Sequence, residues 1–222
     1  NDQQNDQVVY TPPQTAQHII DLMSDLERFI NDDELSDHDD LVKMALIHHQ
    51  FESIHPFYDG NGRTGRILNI LYLSKQNLLG APILYLSRYL NRNKVEYYQL
   101  LQQVRDNSHW EPWLLFMLKA LQVTSQDTLK TIKGLIVLMQ SHKQTIKEKL
   151  PKIYSHELIN NLFMHPYTKV EFVSHDLGVH RNTASKYLHQ LVKIGLLSKH
   201  KLGKDNYYLN RELYNLLQVN HK

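Results

Sequence analysis

Apolar residues recur at helical spacing through the first two thirds of the chain. Between Ile19 and Ile30 they fall every three or four positions, which predicts an amphipathic helix. The same spacing predicts a second helix from about Asp40 to Ile54, where His55-Pro56 ends it. A third helix is predicted to begin near Arg63. It is apolar almost all round, which is typical of a central helix buried by its neighbours.

Further helical patterns extend this domain to a proline near position 150. They cover about Lys94–Asp106 and Glu111–Val123, and a long pattern then continues to Leu150. Pro151 biases the residue before it away from helix. We therefore predict an all-helical domain over residues 14–150.

The segment before this domain has a different pattern. Val8, Val9, Tyr10 and Thr11 form a β-prone run that Pro12-Pro13 closes. Such a run predicts an edge strand or half of a hairpin within residues 1–13. We expect its partner strand to lie upstream of Asn1.

The last third of the chain shows a mixed pattern. From Val170 to Leu188 the sequence indicates a helix, a turn that contains Gly178, and a second helix. Residues 197–208 then alternate around Gly203, as two strands of a wing would. The predicted fold class is therefore mainly α, with a small β segment at the start and a winged helix-turn-helix domain over residues 151–222.

Composition narrows the class of protein. The 222 residues are 41% hydrophobic and include no cysteine. They can form one or two packed domains, and disulfides, thiolate zinc sites and cysteine nucleophiles are excluded. No apolar run approaches the roughly 20 residues of a membrane span. We expect a cytoplasmic protein without a membrane partner.

The net charge of +2 hides an asymmetry. Residues 1–150 carry 15 basic and 18 acidic side chains, whereas residues 151–222 carry 10 basic and 5 acidic ones. This difference indicates two modules with different partners.

The loop between the second and third predicted helices has an unusual composition. Residues 55–66, His-Pro-Phe-Tyr-Asp-Gly-Asn-Gly-Arg-Thr-Gly-Arg, combine a base, an acid, three glycines and two arginines. Gly60 and Gly62 would let a phosphate approach the main chain, and the helix that follows offers free N–H groups. Arg63 and Arg66 lie three positions apart, so they can clamp phosphate oxygens together.

Two further side chains add chemistry to this anion site. Asp59 is a hard oxygen ligand of the kind that Mg²⁺ uses while it bridges substrate phosphates. His55 can accept a proton near neutral pH, which indicates group transfer to an attacking hydroxyl.

Two other phosphate motifs do not fit this loop. Residues 60–65 match the GxGxxG dinucleotide fingerprint, but no buried strand precedes them and no acid follows among residues 80–86. A Walker P-loop is also excluded, because no lysine followed by serine or threonine comes after the glycines.

The loop resembles the complete HxFx(D/E)GNGRxxR signature of the Fic domain family, and the tail resembles the winged-helix extension of many bacterial members. The resemblance implies a protein adenylyltransferase that moves AMP from ATP to a serine, threonine or tyrosine hydroxyl of a target protein or of itself. It also implies that pyrophosphate leaves. The residues that would bind phosphate are Gly60, Asn61, Gly62, Arg63, Thr64, Gly65 and Arg66.

The resemblance also assigns individual roles. His55 would take the hydroxyl proton, Asp59 would hold Mg²⁺, and Arg66 would reach the γ-phosphate. Asn61 would line the anion hole with the backbone of the glycines. Phe57 would anchor the loop in the core.

Two further assignments depend on the same resemblance. The run Val8 to Thr11 resembles part of the flap that docks a target segment by strand addition. Tyr97 or Tyr98 could face the adenine ring, although aromatic residues at this spacing are more often part of a core.

Many relatives contain an inhibitory (S/T)xxxE(G/N) helix, but no glutamate in this chain is followed by glycine or asparagine. We expect that helix upstream of residue 1.

Several alternatives stay open. The same site could use another nucleotide donor, such as UTP, or remove AMP. The tail could instead bind nucleic acid through Arg181, Asn182 and Lys186, with the helical domain as a nucleotide sensor. The target protein and the oligomeric state, including a homodimer, are not determined by the sequence.

Overall fold

The computed structural model describes residues 10–219. The chain divides into two compact units, Asn1–Thr128 and Leu129–Lys222. The described residues are mainly helical, as predicted, with one small sheet. Within residues 10–219 no helix has both the length and the hydropathy of a membrane span.

The first unit is built from helices. They are α1 Ala16–Asn31, α2 Asp40–Ile54, α3 Asn61–Lys75, α4 Leu86–Arg92, α5 Lys94–Asn107 and the first part of α6 Trp110–Lys149. Helix α4 was not predicted. The sequence predicted two helices here, one over about Glu111–Val123 and a long one to Leu150. The structure instead has α6 as a single helix of 40 residues, because no proline or glycine interrupts it near Val123.

Helix α2 occupies the centre of this unit. Its apolar residues Met44, Ala45 and Ile47 are fully buried, and the indole N–H of Trp113 donates to the Ala45 carbonyl oxygen at 3.0 Å. The sequence predicted α3 for this place, but the side chain of Leu71 on α3 is 56% exposed. Several polar side chains of α2 are buried instead: Lys43, His48, His49 and Glu52.

The second unit combines four short helices with an antiparallel sheet. Its elements are α7 His156–Met164, β1 Tyr167–Thr168, α8 Val170–Asp176, α9 Arg181–Lys193, β2 Ser198–Leu202, β3 Asp205–Leu209 and α10 Arg211–Val219. The strand order is β1-β3-β2, with Ser198 opposite Leu209 and Leu202 opposite Asp205. The helix, turn, helix and hairpin pattern was predicted, whereas α7, β1 and α10 were not.

The division between the units falls earlier than the predicted position at Leu150. It lies within α6, after Thr128. The physical reason is that Ile146 of α6 packs fully buried in the second core, together with Leu158 and Leu188. The last turns of α6 therefore belong to the second unit.

The predicted N-terminal strand is described only in part. Val8 and Val9 lie outside the described residues. Tyr10 and Thr11 lie in an irregular segment, and every strand within residues 10–219 belongs to the second unit.

Candidate active site

His55 lies directly after the last residue of α2. Its backbone has φ 51° and ψ 54°, the left-handed region, and its N–H donates to the Phe51 carbonyl oxygen at 3.0 Å. A residue with a Cβ atom is disfavoured there by roughly 1–2 kcal/mol. The side chain is exposed, so the predicted base is accessible to a substrate. The surrounding contacts must hold this conformation.

Asn61 closes the loop that follows. Its Oδ1 accepts the Phe57 N–H at 2.9 Å, and its Nδ2 donates to the Phe57 carbonyl oxygen at 2.6 Å. Asn61 is 2% exposed. Its amide is therefore engaged inside the loop, and its place in the anion hole, which the family resemblance implies, stays a prediction.

Phe57 itself is a weaker anchor than predicted. Its side chain is 49% exposed, and its ring centroid lies 6.3 Å from that of Phe51. The Phe57 ring is therefore only partly packed against α2, and the Asn61 amide closes the loop.

Helix α3 begins at the end of this loop without a side-chain cap. Its N-cap is Gly60, whose φ of 85° favours glycine. Thr64 bonds back to the Gly60 carbonyl oxygen through both its N–H at 3.0 Å and its hydroxyl at 3.1 Å. The first N–H groups of α3 are thus available for an anion, and the helix dipole favours negative charge there.

Charged side chains surround this helix end. Arg63 Nη2 lies 3.2 Å from Asp59 Oδ2, and both side chains are largely exposed. Arg66 Nε donates to Ser87 Oγ at 2.7 Å, which fixes its guanidinium beside the first turn of α3. Asp59, Arg63 and Arg66 therefore lie around the same end of α3.

Gly65 allows α3 to approach α2 closely. A Cβ atom there would lie 2.9 Å from Glu52 Oε1, 3.2 Å from Phe51 Cδ1 and 3.3 Å from His48 Cε1. Real Cβ atoms essentially never approach a neighbour within 3.0 Å. Glycine at this position therefore relieves close contacts with α2, in addition to its place in the motif.

A buried polar layer lies beneath the loop. The His48 ring Nε2 and the Tyr97 hydroxyl are hydrogen-bonded at 3.0 Å. Burial lowers the pKa of His48 to about 4, so this histidine is neutral near pH 7. Burial raises the pKa of Glu52, an effect that the guanidinium groups of Arg66 and Arg105 oppose.

The tyrosine pair divides between core and surface. Tyr97 is 5% exposed, with its hydroxyl bonded to His48. Tyr98 is 54% exposed. Tyr97 is therefore part of the core, and Tyr98 alone is available for the predicted adenine contact.

The sequence did not predict the contacts of three residues near the site. Ser87 comes from a helix that was not predicted, and Arg105 lies in the last turn of a largely polar helix. Glu52 was visible as the residue one helical turn before His55, but its burial was not. Only the tertiary packing reveals these partners of the motif.

The predicted nucleic-acid residues lie on α9. Arg181, Asn182 and Lys186 are all exposed, and Arg181 Nη2 lies 3.5 Å from Glu171 Oε1. Their exposure is compatible with the prediction but does not test it.

Two family models match this chain. The Fic/DOC family model matches residues 1–73, which include the whole loop and most of α3. A model described as the C-terminal domain of SoFic-like protein adenylyltransferases matches residues 138–213.

Individual relatives agree with these matches. The chain is 25% identical over 139 residues to a protein adenylyltransferase from Caenorhabditis briggsae, which covers 61% of this chain and 26% of the relative. It is 39% identical over 70 residues to a probable protein adenylyltransferase from Aquifex aeolicus, which covers 31% of this chain and 19% of the relative. The chain thus spans about a quarter or less of these relatives.

A solved structure shares the fold. The crystal structure of a Fic family protein from Desulfovibrio desulfuricans matches with a TM-score of 0.50 and 22% identity, and covers 92% of this chain and 58% of that one.

Proposed function

The chain belongs to the Fic/DOC family and also carries a SoFic-like C-terminal domain, and on this premise we propose that it is a protein adenylyltransferase. The relatives that it matches bear that name. The proposed reaction moves AMP from ATP to a serine, threonine or tyrosine hydroxyl of a target protein. Pyrophosphate is the second product.

One observation carries this proposal. An exposed histidine, His55, stands at the end of α2, and five residues later α3 presents an uncapped N-terminus flanked by Arg63 and Arg66. A base beside a preformed anion site is the arrangement that phosphoryl-type transfer requires, because such transfer depends on positioning and charge stabilisation.

The bonds change as follows in this reaction. The target hydroxyl oxygen bonds to the α-phosphorus, and the bond from that phosphorus to the oxygen bridging to the β-phosphate breaks. The hydroxyl proton passes to the His55 imidazole. The N–H groups of α3 and the guanidinium groups of Arg63 and Arg66 stabilise negative charge on the phosphates.

Asp59 is the residue that would hold Mg²⁺. Its carboxylate is 88% exposed at the mouth of the site, paired with Arg63 at 3.2 Å. Within residues 10–219 no cluster of three or more His, Cys, Asp or Glu side chains could hold a metal. A single carboxylate fits Mg²⁺, which commonly takes its remaining ligands from substrate phosphates and water. When bound, Mg²⁺ supplies charge neutralisation on the phosphates.

Finer assignments are part of the same proposal. ATP is the donor, with its adenine against the exposed Tyr98. The first part of the chain, Val8 to Thr11, docks the target segment. The second unit is a winged helix, supported by its order of helix, turn, helix and antiparallel hairpin. The protein acts in the cytoplasm, and an inhibitory helix regulates it.

Transfer can be tested directly. The chain is incubated with Mg²⁺ and α-labelled ATP, alone and with cell lysate, and labelled proteins are identified by mass spectrometry. We expect an AMP adduct that is reduced about 10²–10⁴-fold in His55→Ala, because the general base is lost. His38→Ala is the matched control, since His38 is an exposed histidine that precedes α2. Equal labelling by both variants would contradict the proposal.

A further inference from the structure

The last turn of α2 is held from outside by two other segments. Arg105 of α5 donates from Nη2 to the Glu52 carbonyl oxygen at 3.0 Å and from Nε to Ser53 Oγ at 3.1 Å. The Tyr10 hydroxyl donates to the Ser53 carbonyl oxygen at 2.9 Å. The last carbonyl groups of a helix have no partner within the helix. Arg105 and Tyr10 therefore satisfy these groups directly before His55.

The two side chains also contact each other. The guanidinium carbon of Arg105 lies 3.7 Å from the centroid of the Tyr10 ring, a close cation–π contact. Arg105 is half-buried, and Gln102 Oε1 accepts from its Nη1 at 3.5 Å. The stack therefore fixes the guanidinium while its donors face α2.

The position of these contacts matters because of the backbone that follows. His55 has a left-handed conformation that its own side chain disfavours. A frayed helix end would let this residue return to the right-handed region, and its imidazole would then point elsewhere. Contacts that fix Glu52 and Ser53 prevent such fraying.

We propose that Arg105 is a positioning residue for the His55 base, and that Tyr10 assists it. The inference rests on the proposed transferase function, and it assigns a task to two residues outside the motif. Arg105 acts through the main chain of α2, so it touches neither nucleotide nor target. Its planar fork reaches two acceptors at once, which the point charge of lysine does not reproduce.

Two conservative variants isolate the contacts. Arg105→Lys keeps a cation beside the Tyr10 ring but loses the fork, and Tyr10→Phe keeps the ring but loses the bond to Ser53. Tyr72→Phe is the matched control, because the Tyr72 hydroxyl donates to Asp40 Oδ1 at 3.0 Å at the opposite end of the same helix. It perturbs α2 without reaching His55.

The first measurement is the transfer rate as a function of ATP concentration. We expect Arg105→Lys to lower kcat about 10- to 100-fold, since a misplacement of about 1 Å has effects of this size. Tyr10→Phe should lower kcat less. The KM for ATP should stay within about twofold, because the phosphate site on α3 is intact. An unchanged kcat in Arg105→Lys, or a parallel loss in Tyr72→Phe, would overturn the inference.

The second measurement does not depend on transfer. The backbone ¹³Cα resonance of His55, assigned by its absence in His55→Ala, reports the left-handed conformation. It should shift in Arg105→Lys and stay in place in Tyr72→Phe. The inference is wrong if the resonance does not move in Arg105→Lys. If the wild type transfers no AMP while this shift occurs, the proposed function fails and the positioning role stands.

Discussion

Gly65 shows how one residue of a chemical motif also carries the packing of two helices. Its lack of a side chain brings the backbone of α3 against Glu52, Phe51 and His48 of α2. Asn61 is also a motif residue with a structural role. Its amide hydrogen-bonds both the N–H and the carbonyl oxygen of Phe57 and so closes the loop. At the scale of single residues, Gly65 and Asn61 therefore shape the loop and its packing, in addition to the ligand-binding roles proposed for the motif.

We expect Gly65→Ala to destabilise the fold by about 1–3 kcal/mol, because the added methyl group overlaps Glu52 Oε1 and Phe51. Denaturant unfolding of the variant measures this change. Gly80→Ala is the control, since a Cβ atom at Gly80 would meet no atom within 4 Å. Equal loss in both variants would show that close packing is not the cause.

His48 should make the stability of the fold depend on pH. Its pKa is about 4 in the folded protein and 6.5 for an exposed histidine, so the unfolded chain binds more protons between these values. The stabilisation is complete above pH 6.5 and is lost as pH falls toward 4, by on the order of 3 kcal/mol. His48→Gln should flatten the fall in the free energy of unfolding over this window. A fall of unchanged steepness would contradict the assignment.

At the scale of elements, α2 packs in the core of the first unit and ends directly before His55, the first residue of the candidate active site. Its first turn is capped by Asp39, whose Oδ1 accepts the Leu41 N–H at 2.8 Å, and its last turn is held by Arg105 and Tyr10. The first end supports the helix, and the second presents His55. The two ends therefore have different consequences when they are changed.

Loss of the N-terminal cap tests this difference. Asp39→Ala should lower the free energy of unfolding by about 1 kcal/mol, the usual effect of removing such a cap. The transfer rate per folded molecule should stay unchanged, because the cap lies at the opposite end of α2 from His55. Thermal unfolding and the rate assay are measured on the same preparation. A large drop in kcat would show that both ends of α2 position the base.

The bounds of α2 and the loop motif could be predicted from the sequence, because helical spacing and the His55-Pro56 turn are local signals. The central place of α2 could not. Its buried polar residues His48 and Glu52 lower the apparent hydrophobicity of the helix. The groups that interact with them lie on α3 and α5. The contacts of Arg105 were equally invisible, since 52 residues separate it from Ser53.

At the scale of the whole molecule, the two units differ in charge and in core. Residues 1–128 carry 10 basic and 17 acidic side chains, whereas residues 129–222 carry 15 basic and 6 acidic ones. Each unit has its own cluster of buried apolar side chains. Separate cores indicate that each unit unfolds in its own transition.

One substitution in each core tests this separation. Leu188→Ala, in the second core, and Leu90→Ala, in the first, should each cost about 2–5 kcal/mol, because both side chains are buried. Differential scanning calorimetry should show a different transition lowered in each variant. A single transition that both variants lower equally would show that the units unfold together.

The left-handed backbone of His55 has a consequence for how this protein changes under selection. His55→Gly removes the proposed base and at the same time relieves roughly 1–2 kcal/mol of backbone strain. An inactive variant is thus favoured wherever only heat resistance or yield is selected, as in a stability–activity trade-off. Glycine at position 55 in an evolved or consensus sequence would therefore mark a lineage in which the activity is no longer maintained.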